Sequence, residues 1–489
     1  MKLLHVLLLI TGLASGAHAA SLPPSVLNAL KQAGIPLSSV GIEVREVGAR
    51  TPLISVNANR SMNPASTMKL LTTYAALEML GPSYTWKTEA YLSGTLQQGV
   101  LDGDLVLKGY GNPKLTIEQF WLWLRELRSR GLREIRGNLV LDRSAFESTE
   151  HDLSAFDNDP LQPYNAGPDA LLLNFNAVRL RFIPDGDKIN IISEPELAGI
   201  TLDNRLVMAE GGNCGNWDAD ISTQLSGKSM VLQGVFPAGC GECENYVCLL
   251  PHPQYLYGVF RALWEEMGGT LTGELREAQL PSDAVLFATH HSAQLSELIR
   301  DINKFSNNVM ARQLFLSLSY SAEPSLEENM QLCNDPLPCV ESQAASAQPP
   351  ASIARSERAL RNWLASNDLN FPELVLENGA GLSRHERISA RNLSRLLQVA
   401  QQSPLSAEFE ASLPIAGIDG TLKKRFVDSP TARHAHLKTG SISGVKSVAG
   451  YVQSRKGKQW IMVFFINHPN AAAGQRAQDA LIEWLQLKR

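Results

Sequence analysis

The sequence predicts a mixed α/β protein of the α+β kind. Three observations lead there. Apolar residues recur at helical spacing behind Ser66, the interval 171–250 alternates between faces as strands do, and strand-like runs between His434 and Ile466 end in an amphipathic helix.

Taken in order, Ser25–Ala33 reads as a short helix stopped by Gly34. Gly41–Val47 alternates faces and Pro52–Val56 follows the turn Gly48-Ala49-Arg50-Thr51, which makes a hairpin. Ser66 then opens a helix in which Leu70, Tyr74 and Leu77 share a buried face and Gly81-Pro82 supplies the stop. A helix start has unpaired N–H groups and partial positive charge, which suits an oxygen nucleophile and the oxyanion it forms. Lys69, three residues on, returns to the Ser66 side of the helix, and a lysine neutralised by burial can take a serine proton. Alone, this pair is no more than a helix cap near a surface lysine. The chain repeats the spacing at Ser443 and Lys446, in a turn running into a strand, where the two side chains do not share a helical face.

Beyond Trp86, strands are expected at Thr88–Leu96 and Val100–Leu107. A helix capped by Thr116 should carry Ile117, Phe120, Leu124 and Leu127, and Leu139–Leu141 is another short strand. Val178–Phe182, Lys188–Ile192 and Ser229–Val235 mark a β-rich region, followed by a helix over Tyr255–Met267 and an extended run Thr270–Glu277. Helices at Leu295–Phe305 and through Leu316 flank Ser306-Asn307-Asn308. Residues 322–354 are rich in Pro, Ser, Ala, Gln and Glu and read as a mobile insertion. Ser356–Leu364 and Asn392–Ala400 are helical. Strands His434–Lys438, Ser447–Val452 and Trp460–Ile466 lead to a last helix carrying Ala477, Leu481, Ile482 and Leu485.

A chain of 489 residues exceeds one ordinary domain and can bury several cores. Its net charge of −5, without a lysine or arginine run, gives no footprint for nucleic acid. Lys2, the apolar run Leu3–Leu13 and Ala17-His18-Ala19 read as a cleaved secretory signal over residues 1–19. No later apolar run is long enough to span a bilayer, so the mature protein is expected to be exported, with no transmembrane anchor. Six cysteines fit an oxidising compartment. Cys333 and Cys339 bracket a loop suited to local closure, and Cys214, Cys240, Cys243 and Cys248 are expected to form two more bridges in one of three pairings. A zinc site at Cys240-x-x-Cys243 is the alternative that export disfavours. His434 and His436 lack any His-Glu-x-x-His pattern, and neither metal nor cofactor is expected.

Two further motifs complete the first. Ser306-Asn307-Asn308 sits on a turn between helices and can present a hydroxyl and an amide to a cleft. Lys438-Thr439-Gly440 ends a strand, where Gly440 permits close backbone approach and Lys438 and Thr439 present a cation and a hydroxyl to an anion. In this order the set Ser-x-x-Lys, Ser-x-Asn, Lys-Thr-Gly resembles the active site of penicillin-binding proteins and serine β-lactamases. The chain resembles in particular the D-alanyl-D-alanine carboxypeptidase/endopeptidases, the class C low-molecular-mass penicillin-binding proteins of the DacB type. The shared segments are Pro64-Ala65-Ser66-Thr67-x-Lys69, Gly379-Ala380-Gly381-Leu382-Ser383-Arg384 and Leu413-Pro414-x-Ala416-Gly417-x-Asp419-Gly420-Thr421.

The resemblance implies a transpeptidase-like domain, an antiparallel sheet flanked by helices, from residues 20–86 and 289–489. It is interrupted by one inserted domain (87–168 and 252–288) and a β-rich one (169–251). It further implies acyl-enzyme chemistry on peptidoglycan stem peptides ending in D-Ala-D-Ala, in the periplasm, with β-lactams as covalent inhibitors. Ser66 is then the nucleophile, Lys69 the general base, and Ser306 with Lys438 the proton relay, with Asn308 orienting Lys69. The N–H groups of Ser66 and Ser441 form the oxyanion hole, and Lys438, Thr439 and Ser441 hold the terminal carboxylate beside Gly440. Arg384 is implied for the peptide stem, and in the segment Asn158–Tyr164, Asp159 and Tyr164 for a diaminopimelate side chain. A homodimer is compatible with this. The rivals are a serine β-lactamase, against which the chain lacks a Glu-x-x-Leu-Asn loop, and an inactive peptidoglycan-binding scaffold. Asn307 stands where many relatives carry Asp.

Overall fold

The computed structural model describes residues 21–149, 151–211, 214–321 and 349–488. The signal segment 1–19 and the bridge expected between Cys333 and Cys339 lie outside these residues, as does most of the insertion at 322–354.

The central element is a five-stranded antiparallel sheet in the order Ala435–Ile442, Val445–Gln453, Gln459–Asn467, Val40–Glu46, Ile54–Val56. Its middle strand is apolar on both faces, because both are covered. Met462, Phe464 and Ile466 meet a layer built from Val26 and Leu30 of the first helix, Pro24–Gln32, and Leu481 and Ile482 of the last, Gln475–Leu487. Ile461, Val463 and Phe465 face the larger cluster formed by the helices Lys69–Leu80, Leu295–Phe305, Asn308–Ser317 and Ala390–Gln402. The sheet therefore lies between two helical layers, and first and last parts of the chain meet in it: Val40 pairs with Ile466.

The chain leaves this layered unit at Trp86 and returns at Ser292, whose N–H donates to the Trp86 carbonyl (2.9 Å) while the Trp86 N–H donates to Ser292 Oγ (3.0 Å). The residues between them hold a seven-stranded sheet that begins and ends beside this exit, with Lys87–Gln97 pairing antiparallel to Val285–His291. Two three-stranded sheets and the helices Ile117–Ser129 and His252–Glu266 complete this part. All of it packs on one contiguous hydrophobic cluster running from Ala90 to Ala288. Thr116 and Gln119 form a capping box at the first of these helices.

Several expectations need correction. The run Thr270–Glu277 is two short strands, Thr270–Leu271 and Leu275–Glu277, separated at Gly273, where a Cβ would lie 2.1 Å from the Gly137 carbonyl. The strand Val285–His291 was not anticipated, because its burial does not alternate: the consecutive Val285 and Leu286 are both exposed, the register shifts after Leu286, and only Ala288 is buried. Of the two bridges expected among Cys214, Cys240, Cys243 and Cys248, one forms, Cys214–Cys240. Cys243 and Cys248 are free thiols at opposite ends of the strand Cys243–Val247. Five residues of extended chain separate them by about 16 Å, far beyond disulfide reach. Among the described residues no helix is long and apolar enough to cross a membrane.

Candidate active site

Ser66 sits in the tight 3-10 turn Ala65–Met68 that leads directly into the helix Lys69–Leu80. The turn is fixed from three sides. Asn63 accepts from the Ala65 N–H (2.9 Å) and donates to the Ser383 carbonyl (2.8 Å), and Ser447 Oγ donates to the Pro64 carbonyl (2.6 Å). Two glycines let neighbouring backbone close on it. A Cβ on Gly381 would lie 1.9 Å from the Ala65 carbonyl oxygen, and one on Gly440 would lie 2.8 Å from the Ser66 nitrogen. Gly440 thus brings the edge strand of the sheet against the backbone of the nucleophile turn.

Lys69 has no solvent exposure. Its Nζ donates to Ser66 Oγ (3.1 Å), to Asn308 Oδ1 (2.6 Å) and to the Ala380 carbonyl. Burial, and then the charges of Lys438 and Arg312, push its pKa well below the ordinary lysine value, against the opposing pull of Glu386. Lys438, equally buried on the edge strand Ala435–Ile442, donates to Ser306 Oγ (2.8 Å) and to the Thr439 carbonyl (2.8 Å). Its pKa falls to about 7 through burial. Two lysines that are readily neutral therefore each hold a serine hydroxyl, and either amine can take a proton from its serine.

Ser306 ends the helix Leu295–Phe305 in the left-handed conformation (φ 58°), which turns its hydroxyl toward Lys438. Asn307 caps the next helix by accepting from the Met310 N–H (2.9 Å), and Asn308 is that helix's first residue. This answers the departure seen in the sequence. The middle residue of the motif faces the helix N-terminus, where Asn and Asp cap about equally well. Thr439 Oγ1 shares a hydrogen bond with Thr421 Oγ1 (2.8 Å), and Ser441, paired with Lys446 across the hairpin, is exposed.

Ser66, Lys69, Ser306, Asn308, Lys438, Thr439 and Gly440 are thus brought together. The residues expected to grip the substrate side chain are arranged less simply. Arg384 donates to the Ser443 carbonyl (2.9 Å) and its guanidinium lies over the Phe156 ring (4.6 Å), bridging the sheet hairpin to the inserted segment. Tyr164 donates to Asp157 (2.7 Å), whereas Asp159 accepts from Gln162 (2.9 Å). The acid on which Arg384 acts is Asp157. Burial opposes ionisation of that carboxyl, yet hydrogen bonds from Tyr164 and Asn165, with Arg384 behind them, hold its pKa below the usual range. A cleft of about 390 Å³ runs along this side, lined by His151, Phe156, Arg312, Glu377, Asn378 and Arg384. The sequence pattern missed Asp157, Phe156, Arg312 and the Ala380 carbonyl. The neighbouring Arg384, the Gly-Ala-Gly turn and the segment Asn158–Tyr164 were what pointed to that region.

A serine and a lysine at the start of one helix, a second serine between helices and a lysine on an antiparallel edge strand form an arrangement in which a serine hydroxyl can be activated by a buried amine. The chain matches the D-Ala-D-Ala carboxypeptidase 3 (S13) family over residues 24–341 and 339–488. It belongs to that family, and is a serine peptidase of the D-Ala-D-Ala carboxypeptidase class. It is 25% identical to the D-alanyl-D-alanine carboxypeptidase DacB of Haemophilus influenzae over 88% of this chain and 85% of that protein. Identity to the D-alanyl-D-alanine carboxypeptidase of Actinomadura sp. strain R39 is 27% over 96% and 85%. The crystal structure of penicillin binding protein 4 (dacB) from Haemophilus influenzae superposes with a TM-score of 0.75 at 22% identity, covering 94% of this chain and 99% of that one. The same protein complexed with a novel β-lactam gives 0.72 over the same shares. These likenesses establish the fold shared with penicillin-binding proteins.

Proposed function

We propose that this protein is a periplasmic carboxypeptidase that trims D-alanine from peptidoglycan stem peptides through an acyl-enzyme on Ser66, and that β-lactams acylate the same hydroxyl. Residues 20–86 and 289–489 are the catalytic unit in this reading, and 87–288 are its insertions. The observation that carries it is the exclusion of Lys69 from solvent, with its amine held between Ser66 Oγ and Asn308 Oδ1. A neutral amine there removes the Ser66 proton as Oγ attacks the penultimate carbonyl. Negative charge develops on the carbonyl oxygen beside the Ser66 and Ser441 N–H groups, where losing one such donor typically costs about 3–4 kcal/mol. Collapse of the tetrahedral adduct breaks the peptide C–N bond, and the proton that Lys69 took is passed by way of Ser306 and Lys438 to the departing D-alanine nitrogen, which returns Lys69 to its neutral form. Water then repeats the cycle on the ester and frees Ser66.

Thr439 and Ser441, beside Lys438, receive the terminal carboxylate. Arg384, with Phe156 and the Asp157–Tyr164 pair, faces the substrate's side chain. Here Asp157 replaces Asp159 as the acid that would meet a side-chain amine, since it is the one coupled to both Arg384 and Tyr164. Cleavage of cross-links uses the same chemistry, with a peptide amine as the leaving group. The test is incubation of the mature protein with defined monomeric and cross-linked muropeptides, read by mass spectrometry, alongside labelling by a fluorescent penicillin. Loss of one D-alanine from the monomer and a persistent covalent band, both abolished in Ser66→Ala, are expected. Turnover or labelling that survives Ser66→Ala would reject the nucleophile.

A further inference from the structure

One buried carboxylate near the catalytic amines has no part in the chemistry above. Glu386 has no solvent exposure, and it stands on the segment that returns from the Gly379-Ala380-Gly381 turn. Its Oε1 accepts from three successive backbone N–H groups, those of Glu377 (3.1 Å), Asn378 (2.9 Å) and Gly379 (2.9 Å). Such a nest of N–H groups is an anion cradle, here filled by the chain's own side chain. The residues it gathers are the ones that hold the helix of the nucleophile. The Gly379 carbonyl accepts from Thr72 Oγ1 (2.6 Å), and the next carbonyl, of Ala380, accepts from Lys69 Nζ. Ser383 Oγ accepts from the Glu386 N–H (3.0 Å), which fixes the near end of the same loop. The second carboxylate oxygen, Oε2, is buried without a hydrogen-bond partner among the described residues. A scaffold that needed only an acceptor for three N–H groups would not require a carboxylate at this depth, where burial pushes the Glu386 pKa up and only the three N–H donors and then Lys69 pull it back toward the ionised form.

The charged groups acting on Lys69 supply the reason. They come from three elements: Lys438 on the edge strand, Arg312 on the helix Asn308–Ser317, and Glu386 on the 377–386 loop. Two are cations and one is an acid. Arg312 is itself buried and lies under the influence of Glu386 and Glu377. We propose that Glu386 is the positioning residue of the general base: it aims the Ala380 carbonyl at the Lys69 amine and supplies the buried negative charge that balances Lys69, Lys438 and Arg312. The two effects are separable, because the first needs only the acceptor oxygen and the second needs the charge.

The inference rests on the acyl-enzyme reading, so the experiment first checks that reading by itself. The wild-type chain must be labelled by fluorescent penicillin and Ser66→Ala must not be. Failure there sinks the acyl-enzyme and leaves Glu386 without a base to position. With that established, Glu386→Gln and Glu386→Ala are compared with wild type by the second-order rate of penicillin acylation between pH 5 and 10, by kcat and KM on an acylated D-Ala-D-Ala peptide, and by thermal melting. Glu386→Ala loses the cradle, and acylation should fall about 100-fold at every pH, carried by kcat rather than KM, as a misplaced base does. Glu386→Gln keeps the acceptor and removes the charge that raises the Lys69 pKa. Its plateau should fall less than that of Glu386→Ala, and its acidic limb should move to lower pH by about one unit. A Glu386→Gln protein that melts as a folded chain with the wild-type acidic limb overturns the electrostatic half. Wild-type rates in folded Glu386→Ala overturn the positioning half. Equal, pH-independent losses in both variants, in step with lowered melting, reduce Glu386 to packing and overturn the proposal.

Discussion

Gly381 is the position at which a single methyl group should do the most damage. Its backbone is left-handed (φ +77°), and an added Cβ would sit 1.9 Å from the Ala65 carbonyl oxygen and 2.8 Å from the Ser66 nitrogen. Two costs combine in Gly381→Ala. The left-handed backbone costs an alanine about 1–2 kcal/mol. Relieving the contact requires the loop and the nucleophile turn to part by about 1.5 Å, for which overpacked cores typically lose a further 1–3 kcal/mol. Activity should fall as well as stability, because the turn being pushed away carries Ser66, while Lys69 stays tied to Ala380 on the loop. A misplacement on the order of 1 Å costs about 100-fold in rate. The control is Gly457→Ala, with nearly the same φ (+78°) but nothing within 4 Å of its Cβ, which should lose the backbone term alone. Second-order acylation by a fluorescent penicillin and thermal melting of both variants measure the two costs. Acylation of Gly381→Ala at the wild-type rate, or equal losses in the two variants, would refute the claim that this glycine sets the distance between loop and nucleophile.

Asn308→Asp places a carboxylate against Lys69 Nζ, at the 2.6 Å contact. Its charge should raise the amine's pKa, so acylation at pH 7 falls further than in Asn308→Ala and recovers as pH rises in a pH–rate profile. The buried Lys438 has a pKa lowered from 10.5 to about 7, so between those values the unfolded chain binds the extra proton and folding stability rises with pH. Lys438→Met should flatten that rise in denaturant titrations made at pH 7 and 10. Asn307→Asp should leave the melting temperature nearly unchanged, because it preserves the cap to the Met310 N–H, whereas Asn307→Ala loses about 1 kcal/mol.

The convergence around Ser66 was legible because its residue types recur at fixed spacings that local structure dictates: Lys69 one turn after Ser66, and Gly440 where a strand must approach a backbone. The strands and helices of the layered unit were legible for the same reason, since residues such as Leu481 and Ile482, or Ile461 and Val463, keep the period of their element. What escaped were features set by contacts between distant segments. Nothing local marks Glu386 as buried, since its burial depends on the fold of 377–379 around it. Asp157 and Asp159 are two residues apart on one loop, and only the pairing of Tyr164 and the approach of Arg384 separate their roles. Val285–His291 was invisible because Val285 and Leu286 are both exposed and a register shift breaks the two-residue period before the buried Ala288. The cysteines misled through counting, since four thiols in one region suggest two bridges while Cys243 and Cys248 share a strand that holds them apart.

The pairing of Val40 with Ile466 has a consequence for the order in which the molecule can be built. The strand Val40–Glu46 is synthesised more than 400 residues before its neighbour Gln459–Asn467. Until that partner emerges, the early strand and the nucleophile turn behind it have no sheet to settle on, and closing so long a loop is slow. The nascent polypeptide therefore carries an unfinished hydrolase through the synthesis of everything between the two strands. Any product that stops before Gln459 should leave Ser66 without a working neighbourhood.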